Sequence, residues 1–308
     1  MASHRASRSS SRNPLTSRAN ELPTQPISTA YSTVRLEADR DNPRRITVFL
    51  DDAPSSFIDL DDPLNVGFEY MNIFLAALNH LGQESLNVTH LGSAGSTMAR
   101  AINVQFPGSR QIGVDIDGEL IDLARTWFDL PRSPAFKLRA GDARAQLETL
   151  RDSSQDVIIR DVFARGSTPR HLTTSEFMKS VLTKLRPGGI YLANCADKPP
   201  LSIARQEIAT MLSAASTFDD LAQVTTRSAV ALTSETAVLK GRRFGNLVLL
   251  LAKGIRDDEN YQAYDVESAA FARALRTLAI PAHIIAGDEM ALFAGTARVL
   301  QDPLDSKE

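Results

Sequence analysis

The chain has 308 residues, 43% hydrophobic and 23% charged with a formal net charge of −3, a globular profile with ample length to bury a core. Its longest apolar run, residues 247–252, falls far short of the roughly 18 needed to span a bilayer, and residues 1–30 hold no apolar core of a secretory signal. A single cysteine, Cys195, excludes an internal disulfide and a Cys-based zinc site, so a reducing cytoplasm is the expected location.

Charge divides along the sequence. Residues 1–45 carry eight Arg against four acids, leaving a body with a net charge of −7, which argues against a nucleic-acid-binding domain. The Ser/Arg-rich segment 1–30 lacks periodicity and is expected to be a disordered tail. Residues 31–65 form a small β extension: 32–38 and 46–50 alternate like strands around the turn composition 39–43, and 56–60 is a third extended stretch. Residues 66–81 read as an amphipathic helix with Phe68, Met71, Phe74, Leu75 and Leu78 on one face and Gly82 as its stop.

From residue 86 the pattern becomes strand, turn, helix, repeated. Strands are expected at 87–91, 111–114, 135–138, 157–159 and 190–194, with helices at 96–105, 119–128, 143–150 and 175–185. A capping box from Thr173 to Glu176 opens the last of these, and Pro187-Gly188-Gly189 closes it. A helix at 201–214 and β stretches at 221–225 and 246–252 complete the main domain, 66–255. Residues 256–308 read as an appendage with one helix, 266–278. Such alternation predicts an α/β fold, a doubly wound and mostly parallel sheet of Rossmann-like type with helices on both faces.

Ligands of open α/β sheets sit beyond the carboxyl ends of the strands, and four strand ends here carry suitable residues. Gly92-Ser93-Ala94-Gly95 follows the first strand; its small residues suit close backbone approach to a ligand, and equally a tight turn. The spacing fails the G-x-G-x-x-G dinucleotide pattern. Asp115 ends the second strand, 23 positions after Gly92, where a carboxylate can accept from ribose hydroxyls; Asp117 is the expected cap of the next helix. Asp142 could accept from an adenine amine while the small Ala143 leaves room for the ring, although capping would also explain Asp142. Asp161 ends the fourth strand and would face whatever lies beyond the nucleoside. Together the four features point to an adenosyl-nucleoside site. His171 lies in the loop after Asp161, within reach of substrate or merely solvated; Cys195 reads as an inert core thiol and Trp127 as packing.

The run from residue 46 to 252, roughly two-thirds of the chain, resembles the polyamine aminopropyltransferases, the spermidine synthases, within the class I methyltransferase-like fold. The resemblance rests on Leu91-Gly92-Ser93-Ala94-Gly95, Val114-Asp115-Ile116-Asp117, Gly141-Asp142-Ala143, Asp156-Val157-Ile158-Ile159-Arg160-Asp161 and Leu185-Arg186-Pro187-Gly188-Gly189. It implies aminopropyl transfer from decarboxylated S-adenosylmethionine to a diamine such as putrescine, releasing methylthioadenosine, with no permanently bound cofactor and no metal. By resemblance Asp161 is the catalytic carboxylate and Tyr70 lines the substrate cleft. Gly92, Ser93, Gly95, Asp115, Ile116, Asp142 and Ala143 hold the nucleoside. The implied partners are small amines and adenosyl sulfonium compounds, with no nucleic acid or membrane, and relatives imply a homodimer.

The sequence departs from the family pattern in four places. Ala164 stands where a second Asp follows the catalytic one, and the glycine loop carries no acid. Asn72 replaces a Glu two positions after the tyrosine, and Ser55 replaces a glutamine near the hairpin. Glu69, Asp197, Asp59 and Asp61 are nearby acids that could supply the missing charge. Two other functions fit the same residues: an S-adenosylmethionine-dependent methyltransferase, favoured by the uncharged loop, and a non-catalytic nucleoside-binding protein that has lost its amine site.

Overall fold

The computed structural model describes residues 22–303. Of the tail expected at 1–30, residues 1–21 lie outside that range, whereas Ile27–Ser28 forms β1 and pairs antiparallel with β2, Thr33–Ala38. β3 (Arg45–Leu50) and β4 (Ala53–Asp59) complete an antiparallel sheet in the order β1-β2-β3-β4. Only Asp51 and Asp52 separate β3 from β4, both at positive φ (48° and 63°), as a two-residue hairpin turn of type I′ demands.

α1 (Glu69–His80) leads to the large sheet through the alternation expected from the sequence. β5 (Asn87–Leu91), α2 (Thr97–Gln105), β6 (Arg110–Asp115), α3 (Gly118–Trp127), β7 (Phe136–Ala140), α4 (Ala143–Glu148) and β8 (Gln155–Arg160) follow in order. A single 3-10 turn at Arg170–Leu172 precedes α5 (Ser175–Lys184) and β9 (Leu185–Asp197). The chain ends with α6 (Ser202–Ala222), β10 (Ala229–Glu235), α7 (Thr236–Leu239), β11 (Gly245–Ala252), α8 (Ala269–Arg276), β12 (Ala282–Ala286) and α9 (Asp288–Ala294).

Among the described residues eight strands form this sheet, in the order β12-β10-β11-β9-β8-β5-β6-β7. β7, β6, β5, β8 and β9 run parallel, while β11, β10 and β12 add antiparallel pairings at one side. The chain winds outward from β5 through β6 to β7 and then returns to place β8 on the other side of β5. The order therefore reverses between β5 and β8, the position at which doubly wound sheets open a crevice for a ligand. One face is covered by α1, α2 and α8, with Phe74, Leu78, Ile102 and Phe271 in its core. The other is covered by α4, α5, α6 and α9 around Leu147, Phe177, Ile208 and Met290. The small sheet docks on α2 and α3 through Ile46, Val48, Ile58, Ala99, Leu120 and Phe128. No described helix is long and apolar enough to cross a membrane.

Four expectations are corrected. The β stretch at 221–225 is instead the end of α6 and the turn beyond it, where Leu221 is 82% exposed. The buried Asp219 accepts both the backbone N–H and the hydroxyl of Ser228, which fixes this turn and delays the strand to β10. The cap of α5 is Thr174, whose hydroxyl accepts from Phe177 N–H; Thr173 instead donates to the Arg170 carbonyl. Pro187-Gly188-Gly189 lies within β9, which begins at Leu185 opposite Gln155. Residues 256–308 also supply β12, an edge strand of the main sheet.

Candidate functional site

The sequence-selected residues lie where β5, β6, β7 and β8 end, and Tyr70 reaches the end of β8 from α1. Gly92 has φ +83°, and a Cβ at this position would overlap the carbonyl oxygen of Asp161, so the loop lies directly against the end of β8 and only glycine fits. Gly95 is less constrained: a Cβ there would crowd the Ser56 side chain, and its N–H donates to the Ser56 hydroxyl at 3.1 Å, which ties the loop to β4 of the small sheet. The hydroxyls of Ser93 and Ser96 are buried and find no hydrogen-bond partner among the described residues.

Asp115 braces this loop. Its Oδ2 accepts from the N–H groups of Ser93 (3.1 Å) and Ala94 (2.8 Å), and its Oδ1 accepts from Asp117 N–H. Burial pushes its carboxyl above the usual range, against the pull of these donors. Ile116 is 46% exposed at the strand end, an apolar surface beside the carboxylate. Asp117 caps α3 through Leu120 N–H, as expected, and also accepts from the Thr29 hydroxyl at 2.5 Å.

Asp142 caps α4 through Ala145 N–H at 2.9 Å, and its Oδ2 lies 2.8 Å from His171 Nε2. Burial pushes its carboxyl up, but the Ala145 N–H and the imidazole outweigh this and hold it below the ordinary value. Ala143 is buried behind it. The structure thus brings His171 onto the carboxylate assigned to the adenine edge. Arg144 joins the same corner: it donates to the His171 carbonyl and pairs through both terminal nitrogens with Asp302.

Asp161 lies at the centre. The Tyr70 hydroxyl donates to its Oδ2 at 2.8 Å, and Asn194 Nδ2 donates to its Oδ1 at 3.0 Å. Burial drives its carboxyl above the usual range, opposed by these two donors and by the positive charge of Arg160. Tyr70 is held by stacking on Phe68 and an edge contact with Phe74, and burial together with Asp161's charge raises its hydroxyl far above the ordinary value. Beneath the site the wholly buried Arg160 pairs with Glu207 of α6 at 2.8 Å and donates to the carbonyls of Leu172 and Asn194. This ion pair joins the end of β8 to α6, to the loop after it and to β9. Cys195 is buried, and burial first, then Glu207's charge, raises its thiol.

Asn194 escaped the sequence reading, although it ends the expected strand 190–194 in the same way that Asp161 ends its own. Only the register, with Arg160 opposite Ala193, makes the two neighbours. Of the acids proposed to supply charge, Asp59 is taken up by Arg45, Asn65 and the N–H groups of Asp61 and Asp62. Asp197 accepts from the N–H groups of Lys198 and Ala204, and Asp61 pairs with Arg44 on the surface. Glu69 alone is left beside the site, accepting from Asn246 Nδ2 at 3.1 Å.

Comparison with known proteins finds relatives of the chain. A crystal structure of a probable spermidine synthase from Corynebacterium glutamicum superposes with a TM-score of 0.78 at 34% identity, covering 92% of this chain and 98% of that one. Spermidine synthase from Thermotoga maritima matches at a TM-score of 0.53 and 16% identity, covering 82% of this chain and 77% of that one, a likeness of fold. Polyamine aminopropyltransferase from Chromobacterium violaceum is 28% identical over 140 residues, 45% of this chain and 53% of that protein. The chain thus spans about half the length of the curated relatives it matches. No family model matches the chain.

Proposed function

The chain belongs to the spermidine synthase family, and from that premise we propose that it transfers an aminopropyl group from decarboxylated S-adenosylmethionine to a small amine. The observation that carries this reading is Asp161, a buried carboxylate with a raised pKa, held by Tyr70 and Asn194 directly beyond the glycine loop. Ribose hydroxyls would donate to the lone pairs that Asp115 keeps free, and Ile116 would cover one face of the adenine. The ring's edge would lie against Asp142, Ala143 and His171. The sulfonium would then rest over Gly92, with its aminopropyl chain directed toward Asp161.

An amine arrives as an ammonium and must lose a proton before it can attack. Asp161 accepts that proton, and Tyr70 and Asn194 keep its oxygens aimed. The nitrogen lone pair forms the new N–C bond as the C–S bond breaks, and the departing electron pair neutralises the sulfonium to the thioether of methylthioadenosine. The proton passes from Asp161 to solvent, leaving net charge unchanged. The reading extends to a homodimer that pairs through the N-terminal β region, which light scattering would test, and to action in the cytoplasm.

One observation favours a second reading. The loop residues Ser93, Ala94, Gly95 and Ser96 include no carboxylate to repel a methionine carboxyl group, which suits an intact S-adenosylmethionine and methyl transfer. Incubation with each donor and a panel of amines, followed by mass spectrometry, separates the two. Methylthioadenosine with an aminopropylated amine supports the transferase, and S-adenosylhomocysteine with a methylated acceptor replaces it.

A further inference from the structure

Glu69 is a half-buried carboxylate with no cation within ion-pairing distance among the described residues. Its one hydrogen bond there comes from Asn246, so Oε2 is unpaired. Its charge reaches the buried Tyr70 hydroxyl, where it adds to the upward push of burial and Asp161. Consecutive helix residues point about 100° apart. From the first turn of α1, Tyr70 therefore reaches the end of β8 while Glu69 reaches β11.

The strand register sets the spacing. Asp161 follows Arg160, which pairs with Ala193, and so sits beside Asn194. Asn194 in turn pairs with Val248, and Asn246 pairs with Ala196. Asn246 is therefore one strand and one same-face rung away from Asn194, about 8 Å between their Cα atoms from standard strand dimensions. A second observation points to a ligand: Asn194 is only 3% exposed and its Oδ1 has no hydrogen-bond partner, although its Nδ2 is engaged by Asp161. An unsatisfied buried acceptor beside Asp161 calls for a donor. Phe163, two residues past Asp161, and Phe244, two residues before Asn246, are 40% and 61% exposed, apolar surface suited to methylene groups.

We propose that Glu69, oriented by Asn246, anchors the second ammonium of an α,ω-diamine whose first nitrogen lies at Asp161 and Asn194. The inference rests on the aminopropyltransferase reading and adds a residue of this chain that selects for the far charge of the acceptor. It relocates to α1 the negative charge absent at Ala164. Glu69 also sits in the first turn of α1, where a carboxylate favours the helix dipole. That role would affect all substrates alike.

The test compares wild type with Glu69→Gln and Glu69→Asp, using putrescine and the monoamine of equal chain length. Calorimetry on protein saturated with methylthioadenosine reads binding, and steady-state turnover reads kcat and KM. Glu69→Gln should weaken putrescine binding and raise its KM roughly ten- to a hundredfold, with kcat at saturation within about threefold. Monoamine binding should be unchanged, and Glu69→Asp should recover part of the loss. Equal weakening of both amines, no weakening, or no putrescine binding by wild type would overturn the anchor. Glu69-dependent putrescine binding without turnover would instead sustain the anchor and sink the transfer reading.

Discussion

Replacing Asp161 by Asn separates catalysis from folding at this site. Folded Asp161 holds its proton more tightly than an unfolded Asp, because burial outweighs its two donors. Its contribution to stability therefore falls as pH rises from 3.8 through the raised value, and at pH 8 the charged carboxylate weakens the fold. Asn removes that charge and keeps the shape. Its carbonyl can accept from Tyr70, and rotation of the Asn194 amide brings the unpaired Oδ1 to meet the new N–H. The melting temperature at pH 8 should thus stay within about 4 °C of wild type, or rise. On the proposed role of Asp161 the reaction loses its base, and kcat should fall about 10²- to 10⁴-fold, equivalent to about 3–5 kcal/mol of barrier. Product formation by mass spectrometry and thermal unfolding of the same preparations provide the two readouts. A variant of unchanged Tm that retains wild-type kcat within about threefold would refute the base assignment, and a Tm loss beyond about 10 °C would refute the argument from burial.

Gly92→Ala should lower stability by about 1–3 kcal/mol and reduce nucleoside affinity together, because its Cβ meets the Asp161 carbonyl in a left-handed backbone; urea unfolding and methylthioadenosine titration check both. Glu207→Leu, which leaves Arg160 charged and buried, should cost about 3–5 kcal/mol, and adding Arg160→Met should recover most of that in the double variant; chemical denaturation measures the cycle. Asp59 is pushed up by burial but held at about 2 by Asn65, the Asp62 and Asp61 N–H groups and Arg45, so it stabilises the fold above 3.8 and loses this contribution as pH falls toward 2. Asp59→Asn should cost about 2 kcal/mol at pH 7 and flatten the acid limb of the Tm–pH profile. Cys195 should resist thiol reagents in the native protein and react only on unfolding, as its burial and raised thiol pKa require.

The parallel half of the sheet was legible because short strands there alternate regularly with helices, and Asp115, Asp142 and Asp161 mark the strand ends. The antiparallel side was harder to read. Ala229–Glu235 has buried residues on both faces and so shows no alternation, while Leu221 and Val224 mimic a strand around a turn that is fixed by Asp219 and Ser228. At the site, local sequence marks Asp161 as a carboxylate at a strand end. Asn194 and Glu69 required tertiary information: one becomes Asp161's neighbour through the β8–β9 register, the other meets Asn246 across 177 positions of sequence. Asp142 was chosen for adenine from its position alone; His171 on the same carboxylate depends on the path of the loop after β8.

In the proposed reaction the bond from sulfur to the aminopropyl carbon is the one that breaks. A donor labelled with deuterium on the sulfonium methyl and with carbon-13 in the aminopropyl chain tests this within one molecule, using putrescine as acceptor and mass spectrometry of both products. Aminopropyl transfer puts carbon-13 in the amine and leaves deuterium in methylthioadenosine. Deuterium in the amine, with carbon-13 left on the adenosyl thioether, would show methyl transfer and contradict it.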